Sequence, residues 1–118
     1  MILTRKAKKD FELYLSQKYG KFETTTFQEC ASAPQYPIFL DEINLPEEIE
    51  NALIIEFFDS VGFYIEIILI HGDEKAFTFE FSYKDYFNYC DKEFYSRREA
   101  LSRAIVNVNE VYNKYFGE

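Results

Sequence analysis

The chain is poor in the residues on which most enzymatic chemistry depends. It has one histidine, two cysteines, no tryptophan and four glycines in 118 residues, and each scarcity removes a class of function. Neither GxxxxGK[ST] nor GxGxxG occurs, so no glycine-rich loop cradles phosphates at a helix start, which argues against nucleotide hydrolysis. Cys30 and Cys90 lack metal-ligand spacing, and two unpaired thiols are the ordinary state in a reducing cytosol. No serine, cysteine or carboxylate is tied to His71 by a recognised catalytic spacing, so a structural residue at a strand end is the expectation. Long apolar runs are missing too: IEIILI stops far short of the roughly 20 residues of a membrane span. No basic, apolar, small-residue run opens the chain. A cytoplasmic, non-secreted protein without a cofactor is expected.

What the chain has in abundance is rings. Ten Tyr and 13 Phe make it 19% aromatic and 47% hydrophobic, too rich for disorder. The length suits one domain, residues 1–118, with one modest core. The rings concentrate in FTFEFSYKDYFNYC, residues 77–90, where seven of fourteen positions are aromatic.

Charge is distributed unevenly. Residues 1–21 carry six Lys/Arg against two Asp/Glu, residues 22–95 three against sixteen, and residues 96–118 four against three. A basic start and an acidic middle would let the first helix lie along an acidic surface of its own molecule or of a partner.

The pattern of apolar positions implies an α+β fold. Leu3, Ala7, Phe11, Tyr14, Leu15 and Lys18 follow helical spacing up to Gly20, giving a helix over 4–19. Residues 21–45 show no sustained period, and a short strand over 22–28 is expected before irregular chain. Pro46, then Glu47 and Glu48, suit a helix start, and Ile49, Leu53, Ile54, Phe57 and Phe58 form the stripe of a helix over 46–60. Ser96 and Glu99 make a capping box for a helix over 97–116, with Leu101, Ala104, Ile105, Val108, Val111, Tyr112 and Tyr115 at three- and four-residue steps.

Between the last two helices lies a central β-hairpin, 63–71 and 75–83, in an antiparallel sheet of three to four strands covered by the helices. Phe77, Phe79, Phe81 and Tyr83 alternate with Thr78, Glu80 and Ser82, so the rings share one side. A three-residue loop at residues 72–74 sets Leu69 opposite Phe77, Ile67 opposite Phe79 and Ile65 opposite Phe81. That continuous apolar wall reads as core rather than as a stacking platform, because exposed it would far exceed what a soluble monomer tolerates. The segment YFNYCDKEFY supplies a third strand.

The run IENALIIEFFDSVGFYIEIILIH, the hairpin after it, and FYSRREALSRAI before a terminal helix resemble short α/β proteins encoded by phages and mobile elements of intestinal bacteria. The resemblance covers about residues 48–116. It implies the same order of helix, hairpin and helix, and a mobile-element context, and it brings no catalytic residue.

The hairpin register also places Glu66 directly opposite Glu80 on the face away from the Phe ladder. Like charges so placed repel, and partial burial beside Tyr64, Ile68 and Ile70 would raise the pKa of at least one carboxyl. Water, a nearby Lys or Arg, a bound cation or a basic partner residue would relieve the pair. With His71, Asp73 and Glu74 in the adjoining loop, Glu66 and Glu80 form the candidate surface site, although one loop alone makes a poor metal site. Stacked bases would meet these carboxylates, which repel a polyanion and argue against nucleic acid. Two readings follow: a non-enzymatic acidic accessory protein that engages a cytosolic protein, self-association being left open, and an enzyme with a carboxylate site at Glu66, Glu80 and His71.

Overall fold

Three helices and three strands form in the computed structural model, which describes residues 2–19, 45–70, 72 and 76–117. They are α1 (Arg5–Tyr19), α2 (Glu47–Ser60), β1 (Phe63–Ile70), β2 (Ala76–Tyr83), β3 (Tyr86–Tyr89) and α3 (Arg97–Phe116). The strands make one antiparallel sheet in the order β1-β2-β3. The fold is α+β, with helices over one face of that sheet.

Local chemistry explains the element ends. Pro46 lies just outside α2, and its carbonyl accepts from the Ile49 and Glu50 N–H groups at 3.1 and 3.0 Å. Glu47, Glu48 and Glu50 fill the first turn, where the helix dipole favours negative charge. The helix stops at Gly62, whose φ of +91° only glycine adopts freely, and β1 starts at the next residue. Ser96 caps α3 by accepting from the Glu99 N–H at 3.1 Å, while Glu99 Oε2 accepts from the Tyr95 N–H at 3.4 Å.

The hairpin register is the one the ring alternation demands. Ile65 pairs with Phe81, Ile67 with Phe79 and Leu69 with Phe77. Phe63, Phe79 and Phe81 are fully buried beneath α2 and α3, while α1 packs on those two helices. One core cluster joins Leu3, Ala7, Phe11 and Leu15 of α1 to Ile54, Phe57 and Phe58 of α2 and to Ala104, Ile105, Val108 and Tyr112 of α3. The Phe63 and Tyr83 rings stack across the hairpin at 4.2 Å, 9° from parallel. No helix among the described residues is long and apolar enough to cross a membrane.

Two features differ from the pattern-based expectation. Ile49 is 50% exposed and Asn51 is buried. At about 100° per residue Ile49 lies some 140° around the helix from Ile54, whereas Asn51 falls on the same side as Ile54 and Phe58. The third strand is interrupted: Tyr89 pairs with Glu80, but Phe94 pairs with Phe77, so two extra residues bulge out between them. The Thr78 hydroxyl meets that bulge, donating toward the Cys90 carbonyl at 3.1 Å and the Lys92 carbonyl at 2.9 Å. Thr78 is therefore more than a solvent-facing spacer. The turn between β2 and β3 has two residues, Lys84 and Asp85, because Tyr83 pairs with Tyr86. Lys84 takes the left-handed φ of +54° that a tight hairpin turn needs at its first central position. The expected strand over 22–28 lies outside the described residues.

Candidate binding surface on the open face of the sheet

The face of the sheet turned away from the helices carries the alternate residues of each strand. The registers arrange them in two ranks: Tyr64, Ser82 and Phe87, then Glu66, Glu80 and Tyr89. Ser82 is the smallest of the six and sits between two rings, leaving a cleft of about 270 Å³ lined by Tyr64, Ile65, Glu66, Glu80, Phe81, Ser82 and Phe87. Tyr64, Phe87 and Tyr89 are 58%, 61% and 70% exposed. The Phe87 and Tyr89 rings are near-parallel at 6.4 Å, so the wall they form runs alongside both ranks.

Glu66 and Glu80 are direct cross-strand partners, as the hairpin spacing implies. The Glu80 carboxyl is held above the ordinary carboxylate range, first by partial burial, then by its hydrogen bond with Glu66 and by the Glu66 charge. Among the described residues no Lys or Arg forms an ion pair with either carboxylate. Elsewhere acids and bases do meet. Arg98 of α3 binds Glu47 and, at 3.1 Å, Glu48 of α2, and that guanidinium holds the Glu47 carboxyl below its usual range. Lys18 of α1 pairs with Glu56 of α2, and Lys6 with Asp10 one turn along α1 at 3.0 Å. Through Lys18 and Glu56 the basic first helix is thus ion-paired to the acidic middle of its own chain.

His71, Asp73 and Glu74 lie outside the described residues; of the five-residue candidate set the structure describes the carboxylate pair, Glu66 and Glu80, which it brings together. No group of three His, Cys, Asp or Glu that could hold a metal occurs among the described residues. Cys90 is a free, half-buried thiol whose sulfur accepts from the Lys92 N–H at 3.4 Å within the bulge.

Phe87 and Tyr89 are the site residues that sequence reasoning passed over. Their direction depends on the turn before them, and a two-residue turn at Lys84-Asp85 is the signal that sends both rings to the open face.

A second concavity, of about 560 Å³, lies where the β2–β3 turn meets the end of α3, between Tyr83, Lys84, Asp85, Tyr86, Tyr115 and Phe116. It is wider and mixes one cation with one anion. A third, of about 650 Å³, lies over the start of α1 and the end of α3.

No family model matches the chain, and no curated protein or solved structure matches it either.

Proposed function

We propose that this chain is a small non-enzymatic accessory protein that works in the cytosol by engaging a basic protein partner through its acidic surface, in the phage or mobile-element setting that its resemblance implies. The observation that carries the reading is the open sheet face. It displays three exposed rings around a carboxylate pair that no cation of the described chain neutralises. Aromatic side chains are enriched at protein recognition surfaces, as is Arg, and the uncompensated carboxylates beside these rings favour a basic partner. A polyanion or an anionic membrane surface would be repelled by the same carboxylates.

The test is association with purified basic proteins as salt is raised. A complex held by this surface weakens steeply with added salt, mainly through slower association, while DNA and RNA give no mobility shift at physiological ionic strength. Micromolar or tighter binding of nucleic acid under those conditions would refute the reading.

The second reading, a carboxylate enzyme, draws on one observation: Glu80 keeps its proton more readily than an ordinary carboxyl, as a general acid must. Metal analysis of the purified protein and the loss of a measured hydrolytic activity in Glu80→Gln are its tests.

A further inference from the structure

The open-face cleft has the dimensions and charge of a receptor for one planar cation, and we infer that it seats an arginine side chain projected by the protein partner, the guanidinium lying over Ser82 between Tyr64 and Phe87 and pairing with Glu80 and Glu66. This deepens the accessory-protein reading and rests on it.

Shape comes first. Tyr64 and Phe87 stand on β1 and β3, on either side of Ser82 of β2, so their backbones are two strand spacings, roughly 9.6 Å, apart. Side chains stand roughly perpendicular to a sheet. A planar group between two rings needs about 3.5 to 4 Å of contact on each side, roughly 7 to 8 Å in all, which the strand spacing accommodates once the rings lean inward. Ser82 leaves the floor open. An aliphatic residue there would fill the space the cation needs.

Charge comes second. The Glu66 and Glu80 pair closes one end of the cleft. Two carboxylates side by side offer the acceptor oxygens that the five donors of a guanidinium fork can reach. Arginine also stacks on aromatic faces and is more weakly hydrated than an ammonium, so it loses less on entering a half-buried cleft than lysine does. Removing the repulsion between the two carboxylates adds to the gain. The burial of Glu80, which penalises its charge in the free protein, turns into an advantage once a cation shares the cleft.

The choice of a protein over a free small cation rests on what surrounds the cleft. Phe87 and Tyr89 form an apolar wall on the edge strand that runs alongside Ser82 and the carboxylates. That surface has no use for a small cation, whereas residues flanking an arginine would bury it. The formal charge of −8 steers a basic partner toward the protein before any contact is made.

The experiment is an NMR titration with acetyl-Gly-Arg-Gly-amide and with the same peptide carrying citrulline, which keeps the planar shape but lacks the charge. The arginine peptide should shift Tyr64, Glu66, Glu80, Ser82 and Phe87 resonances with millimolar affinity, and the citrulline peptide should bind at least tenfold more weakly. Glu80→Gln should weaken the arginine peptide about fivefold, and Ser82→Leu should abolish its effect on the cleft. Tyr64→Leu, an exposed change that spares the fold, should weaken it about threefold. Equal binding of both peptides, or shifts spread evenly over Asp59, Asp91 and Glu93 as well, would overturn the arginine receptor. The broader reading fails separately. A salt-sensitive complex with a basic protein that persists in Ser82→Leu removes the cleft and keeps the accessory function, whereas peptide binding at the cleft without any basic protein complex removes the accessory function alone.

Discussion

Asn113 near the end of α3 caps the first turn of α1 from 106 residues away, its Oδ1 accepting from the Ala7 backbone N–H at 2.8 Å. Its amide also donates to the Thr4 carbonyl at 3.0 Å. One turn earlier, Asn109 accepts from the Thr4 N–H at 2.9 Å and donates to the Thr4 hydroxyl at 3.0 Å. The first N–H groups of a helix have no partner within it, and here α3 supplies them. The same interface holds Tyr112, whose hydroxyl donates to Asp10 Oδ2 at 2.6 Å. Burial and that carboxylate raise the Tyr112 pKa, so the phenol stays protonated throughout the physiological range.

Asn113→Ala should therefore destabilise the protein by about 1 to 3 kcal/mol, the cost of leaving part-buried backbone groups unpaired. Asn107→Ala, on the same helix, should stay within about 0.5 kcal/mol of the parent. Urea melts of the two variants check the pair. Equal effects would mean that the Asn113 cap contributes nothing measurable to the docking of α1.

The inside of the hairpin gives a larger number. Phe79 is 1% exposed and contacts Phe94 at 6.1 Å between centroids, so Phe79→Ala should cost about 3 to 5 kcal/mol. Its neighbour Thr78 points the other way, yet Thr78→Ala should cost about 1 kcal/mol, because its one hydroxyl proton is shared between two carbonyls of the bulge. Valine at 78 should lose the same hydrogen bonds while keeping the shape, and should match alanine within the error of a denaturant melt.

The Glu80 and Glu47 carboxyls should respond to pH in opposite senses. Glu80 has a raised folded-state pKa, so the folded protein holds that proton more tightly than the unfolded chain does. Its effect on stability is most favourable below the ordinary carboxylate range and is lost as pH rises through the raised value. Glu47 is lowered by Arg98, so its contribution is present above the ordinary range and is lost as pH falls through the lowered value. Glu80→Gln should leave the protein as stable or slightly more stable near neutrality and remove its part of the decline with rising pH. Glu47→Gln should be destabilising near neutrality and neutral in acid. Both effects are small because the groups lie near the surface, and thermal melts from pH 3 to pH 8 would resolve their signs.

The tight turn after β2 invites an improvement. A non-glycine residue in the left-handed region costs about 1 to 2 kcal/mol, while the Lys84 ammonium over the Tyr83 ring at 5.2 Å returns only about 0.5 kcal/mol at an exposed site. Asparagine tolerates that backbone conformation without the added unfolded-state freedom of glycine. Lys84→Asn should raise stability by about 0.5 kcal/mol, read as a higher denaturation midpoint at unchanged slope.

The elements that sequence alone revealed are those fixed by short-range rules. The hairpin register was legible because a one-residue slip would turn Phe77, Phe79 and Phe81 out to water. The start of α3 was legible because Ser96 and Glu99 carry their own capping chemistry. Glu66 opposite Glu80 followed from that register without further information. By contrast, Asn109 and Asn113 look like polar interruptions of a helical stripe, and their partners are set by how α1 and α3 pack. The bulge before Phe94 has no glycine to announce it, so where the third strand breaks off could not be read from composition, and the facing of the β3 rings hung on the length of the turn before them. Ile49 joined the apolar stripe by residue type, but its angular position takes it to the far side of the helix.

The bulge between Tyr89 and Phe94 also bears on how the protein behaves when crowded. β3 is an edge strand whose outer backbone groups are unpaired by any other described strand, and such an edge can recruit a strand from a second molecule. Here regular pairing lasts four residues. The chain then swells outward through Cys90, Asp91, Lys92 and Glu93, three of them charged, before it rejoins the sheet at Phe94. An incoming strand would run out of aligned partners within about 13 Å at the usual rise per residue. A ring-rich sheet that would otherwise be prone to stacking into fibrils ends on that side in a short, kinked and charged border.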